Sequence, residues 1–82
     1  MTQASLPLSR VPVGERRVIT EVESHARAEL EREGLLRGSI VRVSARTPFR
    51  GPVIVEVGRT RVAVAAHVAD GVITAPLESI RA

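Results

Sequence analysis

One stretch restricts what this chain can fold into. Between Ser24 and Ala45 a short helix stops at a glycine, turns, and runs into an alternating strand. Ser24 is a residue type that caps helix N-termini, because its hydroxyl can accept a bond from an orphaned N–H of the first turn. His25 to Glu33 are mostly good helix formers, with no Pro and no β-branched residue. Gly34 then stands where a left-handed C′ residue is wanted, which puts Leu30 at C3 and Leu35 at C″, the pair that makes the accompanying apolar contact. The helix has a narrow apolar face (Ala26, Leu30), so packing rather than propensity must hold it. Gly38 closes the next turn. From Ser39 to Arg46 the chain alternates, with Val41, Val43 and Ala45 on one face and Arg42, Ser44 and Arg46 on the other, as in a half-buried strand.

The rest of the chain can be placed around that stretch. Met1 to Pro7 reads as a flexible N-terminal tail and residues 8–82 as a single domain. Leu8 to Gly14 (LSRVPVG) is a lead-in around a Pro-x-Gly turn. Arg17 to Val22 forms the first strand, with Val18, Thr20 and Val22 on one side and Arg17, Ile19 and Glu21 on the other. Thr47 to Pro52 is a loop carrying the one aromatic residue, Phe49. Val53 to Val57 and Thr60 to Ala65 are strands joined by Gly58-Arg59, with glycine first as a type II′ hairpin prefers. Ala66 to Asp70 fits one helical turn ended by Gly71, and Val72 to Ala75 a last short strand. The expectation is a mainly β fold, a small SH3-like barrel of about five antiparallel strands with one short α-helix after the first.

Composition narrows the function classes. A domain of 82 residues buries only ~60% of its unfolded surface, so the core is modest and, with one Phe and neither Trp nor Tyr, aliphatic. Without Cys there are no disulfides and no thiolate metal sites. No apolar run approaches the roughly 20 residues that span a bilayer, and the N-terminus lacks a signal pattern, so a cytoplasmic location without membrane insertion is expected. The pI of 11.3 suggests a nucleic-acid binder, but the net charge is only +3. All twelve basic residues are Arg, which hardly titrates and so raises the pI, and they are interleaved with Glu.

Catalysis finds little to stand on. His67 and Asp70 lie one turn apart, but no nucleophile motif accompanies them, and neither a Walker pattern nor Gly-x-Gly-x-x-Gly is present, so no enzyme and no cofactor are expected. His25 and Glu29 are spaced i, i+4, with Glu21 and Glu23 near in sequence; two ligands do not make a tight site, and no metal centre is assigned. Nucleic acid is the alternative, since Arg42, Arg46, Arg50, Arg59 and Arg61 could share a surface. Single-strand binders stack bases on aromatics, however, and only Phe49 is available. Binding of a protein partner is preferred. Its candidate contacts are Phe49 at the loop tip, Arg46 and Arg50 beside it, and Leu36, which has no duty in the helix stop. Burial in the core is the commoner fate of such apolar side chains. Self-association through an open barrel edge is a further expectation.

The order of these elements resembles the FeoA family, over roughly Leu8 to Leu77. The quoted matches are the lead-in LSRVPVG, the run from Arg27 through Gly34-Leu35-Leu36-Arg37-Gly38 to Val43, and PFRGPVIVEVGRTRVAVA. Glu33 stands where the family often has Leu or Met, and Arg37 where it often has Pro. The resemblance implies an SH3-like barrel, not an enzyme, acting as an accessory protein of bacterial ferrous-iron uptake on the cytoplasmic region of the transporter FeoB. The same barrel occurs as the C-terminal module of metal-dependent repressors.

Overall fold

The structure, a computed structural model, describes residues 5–80 and the side chains of residues 5–78. In chain order the elements are β1 (Leu6–Pro7), β2 (Arg16–Val22), α1 (Ser24–Arg32), β3 (Ile40–Arg46), β4 (Val53–Val57), β5 (Thr60–Val64), α2 (Ala66–Ala69) and β6 (Val72–Pro76). Single 3-10 turns cover Leu8–Arg10 and Leu77–Ile80. The strands make one antiparallel sheet in the order β1-β6-β2-β3-β4-β5, curled into an SH3-like barrel around an aliphatic core. Leu8, Ile19, Leu35, Val43, Val55 and Val72 fill the centre, each almost wholly buried. With branched aliphatics alone, a narrow barrel packs without large rings.

The sheet has six strands where five were expected. The addition is β1, whose Leu6 and Pro7 pair with Thr74 and Ile73 of β6. Two positions carry no periodicity, so the sequence alone places these residues in the tail. They are ordered by a buried relay instead: the Arg17 Nε–H donates to Thr74 Oγ1, and the Thr74 hydroxyl donates to the Leu6 carbonyl, both at 2.9 Å. Thr74 is fully buried. Residues 1–4 of the expected tail lie outside the described residues.

The helix stop has the expected form. The Leu35 N–H reaches the Leu30 carbonyl at 2.9 Å and the Gly34 N–H the Glu31 carbonyl at 3.0 Å, with Gly34 at φ +89°. These are the two bonds of a Schellman motif, and Leu30 and Leu35 are both buried beneath them. The helix start differs. Glu23, extended at ψ 139°, is the N-cap and Ser24 is already helical; no side chain caps the end. The reason lies in the sheet, where the Glu23 N–H bonds the Gly71 carbonyl at 3.1 Å and holds the chain extended up to that residue.

Two β-bulges change which side chains face inward. In β2 the register passes from Ile19↔Thr74 to Glu21↔Ile73, leaving Thr20 as the extra residue. Ile19 and Val22 therefore both enter the core, and Arg17 is buried, against the expected pairing of Val18 with Val22. In β3 the register passes from Val43↔Val55 to Ala45↔Ile54, so Ser44 is extra. Val41 and Val43 are core residues as expected, but Ala45 is exposed. Arg46, paired with the buried Val53, turns to the core side of the barrel mouth. The β4–β5 hairpin closes through Gly58 at φ +58°, with Arg59 at negative φ, the backbone pattern of a type II′ turn.

Candidate interaction surface

The Thr47–Pro52 loop holds a type I′ turn. Phe49 (φ +60°) and Arg50 (φ +58°) occupy its two central positions, and the Gly51 N–H closes it on the Pro48 carbonyl at 3.1 Å. Left-handed backbone costs an L-residue about 1–2 kcal/mol, so the surroundings must hold this shape. The Thr47 N–H and hydroxyl both bond the Pro52 carbonyl, at 3.2 and 2.9 Å. Gly51 is required, because a Cβ there would stand 2.1 Å from Thr47 Oγ1 and 3.1 Å from the Pro48 carbonyl. The product of this arrangement is Phe49 held out at 98% exposure. The expectation that Phe49 is a core residue fails here; the turn directs its side chain outward.

Arg46 and Arg50, the charged candidates beside Phe49, anchor the loop. Arg46 donates from Nε and Nη2 to the Ser9 carbonyl at 3.2 and 3.0 Å, and from Nη2 to the Val11 carbonyl, tying the lead-in across the barrel mouth. Arg50 Nη2 meets Asp70 Oδ2 at 2.9 Å, and the Ser9 hydroxyl donates to Asp70 Oδ1 at 2.5 Å. The Arg50 hydrogen bond, joined by that from Ser9, holds the Asp70 carboxyl below the usual carboxylate range, while Arg50 is raised by the same partner. Asp70 thus does more than end a helical turn. Neither it nor Ser9 was singled out as part of this cluster, because 61 residues separate them.

Leu36 is also on the surface, at 42% exposure, against the commoner expectation of burial. It sits on a turn whose third residue, Gly38, has the φ of +93° that a type II turn demands. The Ser39 hydroxyl secures that turn by donating to the Gly34 carbonyl at 2.9 Å, while accepting from the Leu36 N–H at 3.2 Å. Leu36 forms one wall of a cavity of about 570 Å³, with Val22 and Thr20 of β2, Arg27 and Glu31 of α1, and Arg37.

The remaining candidates separate. His25 Nδ1 lies 3.4 Å from Glu23 Oε1, both side chains well exposed. No group of three or more His, Cys, Asp or Glu able to hold a metal occurs among the described residues. His67 is exposed on α2. The arginines weighed for nucleic acid are mostly engaged: Arg42 and Arg61 share Glu56 at 3.0 and 3.3 Å, and Arg46 and Arg50 are bound as above. No described helix is long and apolar enough to cross a membrane.

This geometry has close counterparts. The crystal structure of an iron uptake regulatory protein, FeoA, superposes with a TM-score of 0.80 at 29% identity, covering 89% of this chain and 97% of that one. The solution structure of FeoA from Chlorobium tepidum gives 0.79 at 27% identity, covering 88% and 70%. A manganese-dependent transcriptional repressor shares the fold at a TM-score of 0.81 and 18% identity, the match covering 93% of this chain but 44% of the repressor. No curated protein matches. The FeoA domain model matches residues 6–76. The chain therefore belongs to the FeoA domain family, which is associated with ferrous-iron transport.

Proposed function

We propose that this domain is a non-enzymatic, cytoplasmic accessory protein of ferrous-iron uptake that works by binding the cytoplasmic region of the FeoB transporter. The observation that carries this reading is the display of two large apolar side chains on stiff turns: Phe49 on the type I′ tip and Leu36 on the wall of a cavity of about 570 Å³. Partner binding spends less entropy when the anchoring side chain is already fixed. Membership of the FeoA family, which is associated with ferrous-iron transport, supports the transporter as the partner. The mechanism is differential binding: the domain favours one transporter state and biases its equilibrium toward that state.

The test is a proton–nitrogen NMR titration of the labelled domain with the transporter's cytoplasmic region, run beside a short RNA. Saturable shifts around Leu36 or Phe49 with the transporter alone are expected. Leu36→Glu should then remove binding at that face while leaving far-UV dichroism and melting unchanged. Shifts with RNA only, fading as salt rises, would replace this reading with nucleic-acid binding.

A further inference from the structure

One row of side chains crosses four strands on the outer face of the sheet. Arg16 of β2 stands directly opposite Arg42 of β3, Arg42 opposite Glu56 of β4, and Glu56 opposite Arg61 of β5. Glu56 is divided between two of these arginines: Oε1 accepts from Arg42 Nη1 at 3.0 Å and Oε2 from Arg61 Nη2 at 3.3 Å. Three cations and one anion leave the row with a net charge of +2. Arg16 is exposed and has no ion pair among the described residues. Its neighbour Glu15 is taken by Arg17 at 2.7 Å.

Like charges directly opposite each other in an antiparallel pair destabilise a sheet, with Cβ atoms about 5 Å apart. Arg16 and Arg42 are such a pair. A guanidinium carries five N–H donors, and Glu56 engages one of those on Arg42. Both arginines line a cleft of about 220 Å³. Ile40, two residues before Arg42 in β3, is 45% exposed and gives the cleft an apolar wall. An anion lying between the two guanidinium groups turns their repulsion into attraction on both sides. The planar guanidinium fork suits phosphate oxygens, and a phosphate dianion equals the charge of the row.

We propose that Arg16 and Arg42 together bind a phosphate group across β2 and β3, with Ile40 beside it. The site is open to water, where each exposed charge contact is worth little, so the affinity is on the order of millimolar. The proposal goes beyond the transporter reading and does not need it, since neither Phe49 nor Leu36 takes part.

The test is a proton–nitrogen NMR titration of the full chain at about pH 7.5, where phosphate is mostly dianionic. The probes are inorganic phosphate and glycerol 3-phosphate, each set against sodium chloride at the same ionic strength. Saturable shifts at Arg16 and Arg42 are expected with both probes. Tighter binding of the ester, with a shift at the Ile40 methyls, assigns the group to a small organic phosphate; equal binding assigns it to the free ion. Arg16→Gln removes no ion pair among the described residues, so it should keep the native amide spectrum and weaken binding by about tenfold. Glu56→Gln removes the one anion of the row and should tighten binding by about threefold, as loss of a nearby like charge does. Those opposite signs separate binding from a general loss of stability. Either phosphate should also raise the melting temperature of the wild type above that in matched chloride, and leave Arg16→Gln unmoved. Shifts no different from those with chloride would mean an adventitious ion only. That result, an Arg16→Gln variant that binds like the wild type, or row shifts with a short RNA but with neither phosphate would each overturn the proposal.

Discussion

Replacing Thr74 by Val and by Ser asks whether β1 is held by the buried relay or by packing alone. Thr74 Oγ1 accepts from Arg17 Nε and donates to the Leu6 carbonyl, each at 2.9 Å, and the side chain has no exposure. Valine keeps the shape and deletes both bonds. A hydrogen bond to a charged group is worth about 1.5–3 kcal/mol and a neutral one about 1. Leu6 is half-buried and its carbonyl can turn toward water, and Arg17 keeps Glu15 at 2.7 Å as well as further contacts, so the lower end applies. The added methyl recovers part of the loss, leaving a net cost of about 2 kcal/mol. Serine keeps the hydroxyl and loses one buried methyl, at about 1 kcal/mol. In a domain of this size each kcal/mol moves the melting temperature by about 4–8 °C, so Thr74→Val should melt roughly 10 °C lower and Thr74→Ser about half as far. Thermal and urea denaturation followed by far-UV dichroism measure both, and amide exchange at Thr74 and its neighbours should quicken first in the valine variant. A serine variant as destabilised as the valine variant, or more so, would mean that packing decides and that the relay contributes nothing.

Two further outcomes follow from the loop. Substituting Phe49→Asn together with Arg50→Gly supplies the residues a type I′ turn prefers. It should stabilise the domain by about 1–2 kcal/mol in urea denaturation, because relief of the left-handed backbone outweighs an exposed Arg50–Asp70 pair of small worth. Acidification should act through Asp70: with its carboxyl depressed by Arg50 and Ser9, the tie is whole above the ordinary carboxylate range and is lost only as pH falls through that lowered value. Amide shifts of Phe49, Arg50 and Gly51 should therefore stay flat through the ordinary carboxylate range and move only below it, and Asp70→Asn should abolish that movement.

What could be read from the residues alone follows a physical division. Gly34 and Gly58 are legible because each sits where the backbone needs a φ that glycine adopts freely, so the helix stop and the hairpin follow from residue type. The bulges are not legible. Thr20 and Ser44 are ordinary strand residues, and the extra residue is created by register against β6 and β4, which local sequence does not carry. β1 escaped because its two residues are ordered by Thr74 and Arg17 from elsewhere in the chain. The Thr47–Pro52 loop was visible from its prolines and glycine, but Phe-Arg at its centre does not announce a type I′ turn, for which Asn-Gly is the usual sign. The exposure of Phe49 and Leu36 was hidden for the same reason: composition assigns large apolar side chains to the core, and only the turn geometry sends these outward.

The Ser44 bulge acts as a phase shift in β3. Before it the odd positions point to the core; after it the even ones do, which is how Arg46 comes to share a side with Val53 and reach Ser9 and Val11. Deleting Ser44 would leave Val43, Ala45 and Arg46 opposite Val55, Ile54 and Val53 in unbroken register, with Ala45 still outward and Arg46 still on the core side. The direction in which Phe49 points is therefore left to its own type I′ turn. The bulge lets Val41 to Arg46 lie against the shorter run Val53 to Val57, so β3 absorbs a change of length at this point and keeps Arg46 in place to tie down the lead-in.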